Sequence, residues 1–134
     1  MDYDEYVALA QEGAGWDEAG EHEKAVEVFR RLVASDISDV DKAMMCHNMG
    51  VVQEKMGKEQ EALASYERGM AYERQHGRIL VAEQRAAYLY RLGRLAESLR
   101  AYEEIMYRAS LTEEEKYRIR YNVAALREQL GEAR

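Results

Sequence analysis

The chain has 134 residues, no proline, one cysteine and a formal net charge of −7. A chain of this length forms one domain with a buried core, and the lack of proline together with many Ala, Glu, Arg and Leu residues favours an all-α fold. One cysteine excludes an intrachain disulfide. The first ten residues, MDYDEYVALA, are acidic where a secretory leader is basic, and no long apolar run follows. We therefore expect a single cytoplasmic domain over residues 1–134 with no membrane partner.

The negative charge is concentrated at the start of the chain. Residues 1–42 carry 12 acidic and 4 basic side chains, a net of −8, whereas residues 43–77 have a net of −1 and residues 78–134 a net of +2. An acidic chain without a basic stripe is repelled by phosphate backbones, so we expect no nucleic-acid partner. Two interpretations of the gradient stay open: it steers a partner or orients end-to-end contacts, or it is a solvated surface.

Along the chain, one segment recurs three times and begins a fourth time, at intervals of 37, 36 and 38 residues. It is marked by Gly20, Gly57, Gly93 and Gly131. Seven positions before each glycine lies a small residue, namely Gly13, Gly50, Ala86 and Ala124. After the first three glycines come a second small residue (Ala25, Ala62, Ser98) and, four positions later, an aromatic residue (Phe29, Tyr66, Tyr102). Fixed offsets at such a period are typical of stacked helical hairpins.

This pattern resembles the tetratricopeptide repeat (TPR), a helix-turn-helix unit of about 34 residues. The resemblance implies a right-handed superhelix, in which the small residue of helix A lets helix B and its aromatic side chain approach. The predicted units are three repeats, Tyr6–Asp39, Ala43–His76 and Ile79–Thr112, and a capping helix, Glu113–Leu130. The sequence departs from the family pattern at Glu12 and Arg85, where Leu is usual, and at Gln53, where Tyr is usual.

The sequence predicts the starts of three helices. Asp2 with Glu5, and Thr112 with Glu115, have the spacing of a capping box. Ser38 or Asp39 is a further N-cap candidate.

Residues on one face of each helix A indicate which units have neighbours. Three units have a stripe that predicts packing on the preceding repeat. The stripe is Met45, Met49, Val52 and Met56 in the second repeat, and Val81, Arg85, Tyr88 and Leu92 in the third, where Arg85 interrupts the apolar residues. In the capping helix it is Ile119, Val123, Leu126 and Leu130. The equivalent set in the first repeat is Ala8, Glu12, Gly15 and Ala19, which predicts the beginning of the array. The final helix has Arg120 and Arg127 where earlier helices face their own helix B, so we expect these arginines to meet water as part of a solvating cap.

By the same resemblance, the A helices line a concave groove. The predicted peptide-binding residues are Gln11, Met44, His47, Asn48, Val51, Leu80, Gln84, Ala87, Arg91, Tyr121 and Asn122. Four of them are carboxamides at equivalent positions, namely Gln11, Asn48, Gln84 and Asn122. Since a carboxamide both donates and accepts, this row can hold the backbone of an extended peptide, or each amide can bond to a neighbouring helix. The Met, Leu and Tyr side chains would then select apolar side chains.

A well-known subset of the family binds acidic chaperone tails through a clamp of cationic and amide side chains. The equivalent positions here are Ala10, Ala14, Asn48, Leu80 and Gln84, and only Asn48 is the residue that the clamp requires. We therefore do not expect that specificity. Arg91 and Arg118 either attract an acidic ligand or simply solvate the helix surface.

No pattern of catalytic residues is found. The histidines, at positions 22, 47 and 76, lack the close spacing of zinc sites, no Gly-rich phosphate loop occurs, and Glu113–Glu115 occupy a first helical turn, where the helix dipole favours acids. Cys46 is predicted to be a buried thiol. We expect no enzyme, cofactor or metal, but a module that binds a protein or an extended peptide. The alternatives are a self-associating, homo-oligomeric scaffold and an enzyme or small-molecule binder that uses the groove.

Overall fold

The computed structural model describes residues 1–108 and 110–131. Within them the chain forms seven α-helices and no strand: α1 (Tyr3–Glu18), α2 (His22–Val33), α3 (Asp39–Lys55), α4 (Glu59–Arg74), α5 (Leu80–Arg91), α6 (Leu95–Met106) and α7 (Glu113–Gln129). This confirms the all-α prediction. The helices fit three hairpins followed by one helix, although residue 109 of the predicted third repeat lies outside the described residues.

The chain divides into two compact units, Met1–His76 with α1 to α4 and Gly77–Arg134 with α5 to α7. In the first unit α2 packs on α1 and α3, and α3 packs on α4. In the second unit α6 packs on both α5 and α7. The assignment of residues 1–134 to one domain stays a prediction, and its last three residues lie outside the described part of the chain.

Three helices begin at the predicted caps. The carboxylate of Asp2 and the hydroxyl of Ser38 each accept a hydrogen bond from the backbone N–H three residues later, at 2.8 and 3.2 Å. At α7, Thr112 Oγ1 accepts from the backbone N–H of Glu115 at 3.1 Å, and the Glu115 carboxylate accepts from the backbone N–H of Thr112 at 2.9 Å. Each bond satisfies an N–H that the helix itself leaves without a partner.

The recurring glycines end the A helices. Gly57, between α3 and α4, has a φ of +73°, a conformation that other residues rarely adopt. This turn lets the backbone N–H of Lys58 donate to the carbonyl of Gln53 at 3.0 Å, which closes the end of α3. The other three glycines of the repeat also have positive φ.

The small residues of the A helices admit the aromatic residues of the B helices, as predicted. A Cβ atom placed on Gly13 would lie 2.6 Å from Cε1 of Phe29, and one placed on Gly50 would overlap the ring of Tyr66. Both rings are buried. The two hairpins of the first unit therefore depend on the missing side chain at each glycine.

The third hairpin uses a polar contact at the same crossing. Ala86 of α5 is fully buried, and the Ser98 hydroxyl of α6 donates to the carbonyl of Ala86 at 2.8 Å. Since the hydroxyl is buried, this bond satisfies a group whose burial is otherwise costly.

Three of the four residues in each predicted apolar stripe of α3 and α7 are buried, whereas Met56 and Leu130 are half-buried. Met45, Met49 and Val52 belong to the core of the first unit, together with α2 residues. The buried residues of α7 are Ile119, Val123 and Leu126. The corresponding face of α1, formed by Ala8, Glu12, Gly15 and Ala19, is exposed.

One expectation for α7 is wrong. Arg120 is exposed as expected, but the Arg127 guanidinium is partly covered and donates from Nη2 to the Glu103 carboxylate of α6 at 2.6 Å. The hydrogen bond to Glu103 raises the pKa of Arg127. An acidic residue on the neighbouring helix thus gives this arginine a protein partner in place of water.

Candidate functional site

A pocket of about 380 Å³ lies between α5 and α7 in the second unit. Its lining residues are Ala87, Tyr90, Arg91, Tyr102, Tyr121, Asn122, Ala125, Leu126 and Gln129. Tyr102 of α6 and Leu126 are almost fully buried and form the floor, whereas Tyr90 and Tyr121 are 44% and 66% exposed and form the rim. The pocket has a size typical of ligand sites, roughly 300–1,000 Å³.

Side-chain hydrogen bonds connect α5 to α7. The Arg118 guanidinium donates two hydrogen bonds to the Glu83 carboxylate, at 2.8 and 2.5 Å. Gln129 Nε2 donates to the Tyr90 hydroxyl at 3.2 Å. Because a paired guanidinium and carboxylate hold a defined geometry, these bridges help to fix the separation of the helices that form the pocket walls. Hydrogen bonding to Glu83 also raises the pKa of Arg118.

The Tyr102 hydroxyl differs from its equivalent in the second repeat. There, Tyr66 donates to the Glu54 carboxylate. Glu54 lies three residues before Gly57, and the equivalent residue, three before Gly93, is Tyr90. Tyr102 consequently makes no hydrogen bond with any residue that the structure describes. Burial, assisted by the Glu83 charge, raises the pKa of Tyr102, so the group remains a neutral donor.

Two further side chains give the pocket polar character. Asn122 is half-buried and has no hydrogen-bond partner within residues 1–108 and 110–131. Arg91 is exposed, and its guanidinium lies 5.5 Å from the centre of the Tyr88 ring, within range of a cation–π contact. The pocket therefore combines aromatic surface with hydrogen-bonding groups that a ligand can reach.

Four of the predicted site residues meet at this pocket, namely Ala87, Arg91, Tyr121 and Asn122. Leu80 and Gln84 lie nearer the start of α5, exposed and half-buried respectively, and do not line it. Binding by all six residues stays a prediction.

Tyr90 and Tyr102 are not among the site residues predicted from the sequence. Tyr102 holds the aromatic position of helix B, which indicates only packing against helix A. A signal was present, because Tyr90 replaces the carboxylate that engages the equivalent tyrosine in the second repeat. The Tyr102 phenol therefore has no such carboxylate partner where it lines the pocket.

In the first unit, Met44, His47, Asn48 and Val51 follow one face of α3. Met44 is exposed and the other three are half-buried. His47 Nδ1 lies 3.5 Å from Asn48 Oδ1, and the His47 ring centre is 6.3 Å from that of Tyr66. This face is a partly apolar surface with one amide on it.

The predicted amide row has two members in each unit. Gln11 on α1 is exposed and Asn48 is half-buried in the first unit, while Gln84 and Asn122 belong to α5 and α7 of the second. The role of the row in holding a peptide backbone stays a prediction.

Burial raises the pKa of the Cys46 thiol to about 11, which leaves little thiolate near neutral pH. Among the described residues, no group of three or more His, Cys, Asp and Glu side chains is arranged to hold a metal ion. In the same part of the chain, no helix is both long and apolar enough to traverse a bilayer.

No protein-family model matches the sequence, and no curated protein matches it. Solved structures do match. The chain is similar to PcrH, known from Pseudomonas aeruginosa, in complex with the chaperone-binding region of PopD (19% identity, 97% of this chain and 96% of that chain, TM-score 0.72). It is also similar to the Yersinia enterocolitica type III secretion translocator chaperone SycD (21% identity, 98% of this chain and 89% of that chain, TM-score 0.67).

A third similar structure is the first TPR of Spaghetti (RPAP3) bound to the HSP90 peptide SRMEEVD (17% identity, 94% of this chain and 98% of that chain, TM-score 0.65). The fold of this chain is therefore the TPR fold, as the recurring residues predict.

Proposed function

We propose that this chain is a non-catalytic interaction module that binds an extended segment of another protein. The observation that carries the proposal is the pocket between α5 and α7, where exposed tyrosines surround two polar side chains, Tyr102 and Asn122, that have no hydrogen-bond partner among the described residues. Aromatic side chains provide large contact areas for a partner, and the polar groups orient it.

The similar structures support this proposal. PcrH is in complex with a region of PopD, SycD has been solved with a peptide of YopD, and the RPAP3 repeat is bound to an HSP90 peptide. These partners belong to those proteins, and this chain shares their fold. Leu80 and Gln84 occupy positions where a tail-binding clamp needs cations, so we do not propose the HSP90 tail as its ligand.

We further propose that the surface of the first unit takes part in binding. Met44, His47, Asn48 and Val51 would contact apolar side chains or backbone of the partner, and Gln11 would contribute an amide. We also propose the cytoplasm as the place of action.

The proposal is tested by affinity capture from the source cell, followed by mapping of the bound segment and titration of that segment against variants. Tyr121→Ala removes a rim side chain and Asn122→Ala removes an amide. Tyr3→Ala is the matched control, since Tyr3 is exposed like Tyr121 but lies on α1. We expect both pocket variants to weaken binding about tenfold or more while the control binds like the wild type.

Equal affinities for all four proteins would refute the pocket as the binding site. Capture that recovers only the chain itself would refute partner binding and favour the self-associating scaffold, which light scattering would then detect as an oligomer.

A further inference from the structure

The aromatic position of helix B indicates that the Tyr102 hydroxyl is not needed for packing. The first repeat has Phe29 there, which is 2% exposed and carries no hydroxyl. The second has Tyr66, whose hydroxyl donates to the Glu54 carboxylate. In the third, Tyr102 is 7% exposed and has no hydrogen-bond partner in the described part of the chain. Because a buried hydroxyl is costly without a partner, an acceptor that reaches Tyr102 would be bound favourably.

The repeat register indicates where this hydroxyl lies. The Tyr66 hydroxyl meets the residue three positions before Gly57, and the equivalent residue of the third repeat is Tyr90. Tyr90 and Tyr102 line the same pocket. The Tyr90 hydroxyl accepts from Gln129 Nε2 at 3.2 Å, which ties it to α7 at the rim. We therefore expect the Tyr102 hydroxyl to face the pocket beside Tyr90.

Asn122 is the second polar group that a ligand would meet. It is half-buried on α7, lines the pocket and has no hydrogen-bond partner among residues 1–108 and 110–131. Its amide both donates and accepts. The other long polar side chains of the lining, Arg91 and Gln129, already interact within the chain. The pocket thus presents one phenol donor and one amide.

The depth of Tyr102 favours a ligand side chain over a ligand backbone group. Tyr102 lies at the floor, whereas Tyr90 and Tyr121 are more exposed and form the rim. The backbone of an extended segment would run along the rim, so a side chain has to carry the acceptor down to the phenol. A volume of about 380 Å³ holds a side chain of the length of glutamine together with its adjoining backbone.

A neutral acceptor suits this floor better than an acid. Arg91, the charged residue of the lining in the described part of the chain, already interacts within the chain. Burial, assisted by the Glu83 charge, raises the pKa of Tyr102, so the phenol donates as a neutral group. Burying a carboxylate without a cationic partner is costly. A carboxamide offers an oxygen that accepts from the phenol and an NH₂ group that donates to the amide oxygen of Asn122.

We propose that the α5–α7 pocket takes a glutamine side chain from the bound segment, with its carboxamide oxygen accepting from Tyr102 and its NH₂ group donating to Asn122. Tyr102 is then a residue that determines specificity. The inference rests on the proposed peptide binding and adds the chemistry of the side chain that enters the pocket.

Two hydroxyl deletions test the first step without any ligand. Tyr66→Phe removes a hydroxyl that donates to Glu54, so the urea midpoint of the full chain should fall. Tyr102→Phe removes a hydroxyl that has no hydrogen-bond partner in the described part of the chain, so the midpoint should stay the same or rise. A fall of similar size in both variants would show that the Tyr102 hydroxyl is bonded within the chain and would overturn the inference.

The second step is tested with the full chain and short acetylated and amidated peptides, with binding followed by NMR shifts of the labelled protein. The reference peptide has one Gln between two Leu residues in a Gly and Ser background. In its relatives Gln is replaced by Met, which has similar length and no amide, or by Glu, which has similar shape and a charge. We expect the Gln peptide to bind about threefold to tenfold tighter than the Met peptide, as for one hydrogen bond to a buried donor, and tighter than the Glu peptide.

Protein variants assign the preference to the phenol. Tyr102→Phe should abolish the preference for Gln over Met and leave the affinity for the Met peptide unchanged. Tyr117→Phe is the matched control, because it removes a tyrosine hydroxyl from α7 at a position that does not line this pocket. It should keep the preference of the wild type.

Equal binding of the Gln and Met peptides, tightest binding of the Glu peptide, or no shift at the pocket with millimolar Gln peptide would overturn the inference. A preference for Gln that survives in Tyr102→Phe would overturn it as well. The proposed function fails separately. If a captured partner loses affinity with Tyr121→Ala but binds Tyr102→Phe as tightly as the wild type, the peptide site stands and the inferred glutamine is wrong.

Discussion

The close approach of α1 and α2 can be tested with two glycines on one helix. Gly13 and Gly15 both lie in the interior of α1, so replacing either with Ala gives the same gain in helix propensity, up to about 1 kcal/mol. Their surroundings differ. A Cβ atom at Gly13 would be 2.6 Å from Cε1 and 2.9 Å from Cζ of Phe29, whereas a Cβ atom at Gly15 has no atom within 4 Å outside its own helix backbone.

The expected free energies follow from that difference. Phe29 is only 2% exposed, so its ring has little space to move aside, and overpacking a closed core costs about 1–3 kcal/mol. Gly15→Ala should therefore stabilise the protein by roughly 0.5–1 kcal/mol. Gly13→Ala should destabilise it by about 0.5–2 kcal/mol after the propensity gain is subtracted.

Urea unfolding followed by circular dichroism measures both changes on the full chain. Subtracting one change from the other removes the helix-propensity term and leaves the packing term. Unfolding free energies that agree within about 0.3 kcal/mol, which is the usual scatter between independent sites, would refute the idea that the glycine is required for the approach of Phe29.

Three further predictions concern stability and reactivity. Asp17 accepts from Lys55 at 2.7 Å and pairs with His22 at 2.9 Å, and its pKa is lowered because these hydrogen bonds and charges outweigh desolvation. The stabilisation that the Asp17 carboxylate contributes is therefore fully present above its pKa in the unfolded chain and is lost as the pH falls through its lower pKa in the folded protein. Asp17→Asn should flatten the fall in the free energy of unfolding on the acid side of the pH profile. An acid titration that gives the same profile for both proteins would contradict this. The Cys46 thiol, buried and with a pKa of about 11, should resist alkylation at pH 8 until urea unfolds the chain, as mass spectrometry would show; rapid labelling of the folded protein would contradict its burial. Thr112→Ala should destabilise α7 by about 1 kcal/mol through loss of the capping box, and hydrogen exchange at the start of α7 that matches the wild type would count against that role.

Much of the fold follows from the sequence because its determinants are local and periodic. The glycine that ends each helix A, the small residue seven positions earlier and the aromatic residue nine positions later predict the hairpins, and Gly13 with Phe29 shows the packing that they imply. The caps at Ser38 and Thr112 are likewise short-range patterns. The starts of α2, α4, α5 and α6 are less well determined, since none of these helices has a side-chain cap.

Interactions between side chains on different helices are harder to predict from the sequence than these local patterns. Arg127 was expected in water because its position lacks a helix B, but Glu103 of α6 is within reach, and nothing in the spacing of the two residues indicates this pair. The pocket shows the same limit. Tyr121 and Asn122 follow from their places on a helix A, whereas the role of the Tyr102 phenol in the pocket lining depends on Tyr90 occupying the position of a carboxylate.

The most direct test of peptide binding at the α5–α7 pocket is a titration of the mapped partner segment against labelled wild-type chain, with NMR shifts assigned residue by residue. We expect the largest shifts at Ala87, Arg91, Tyr121 and Asn122, and their loss in Tyr121→Ala but not in Tyr3→Ala. Saturable binding that leaves these four residues unshifted would contradict the assignment of the pocket as the binding site.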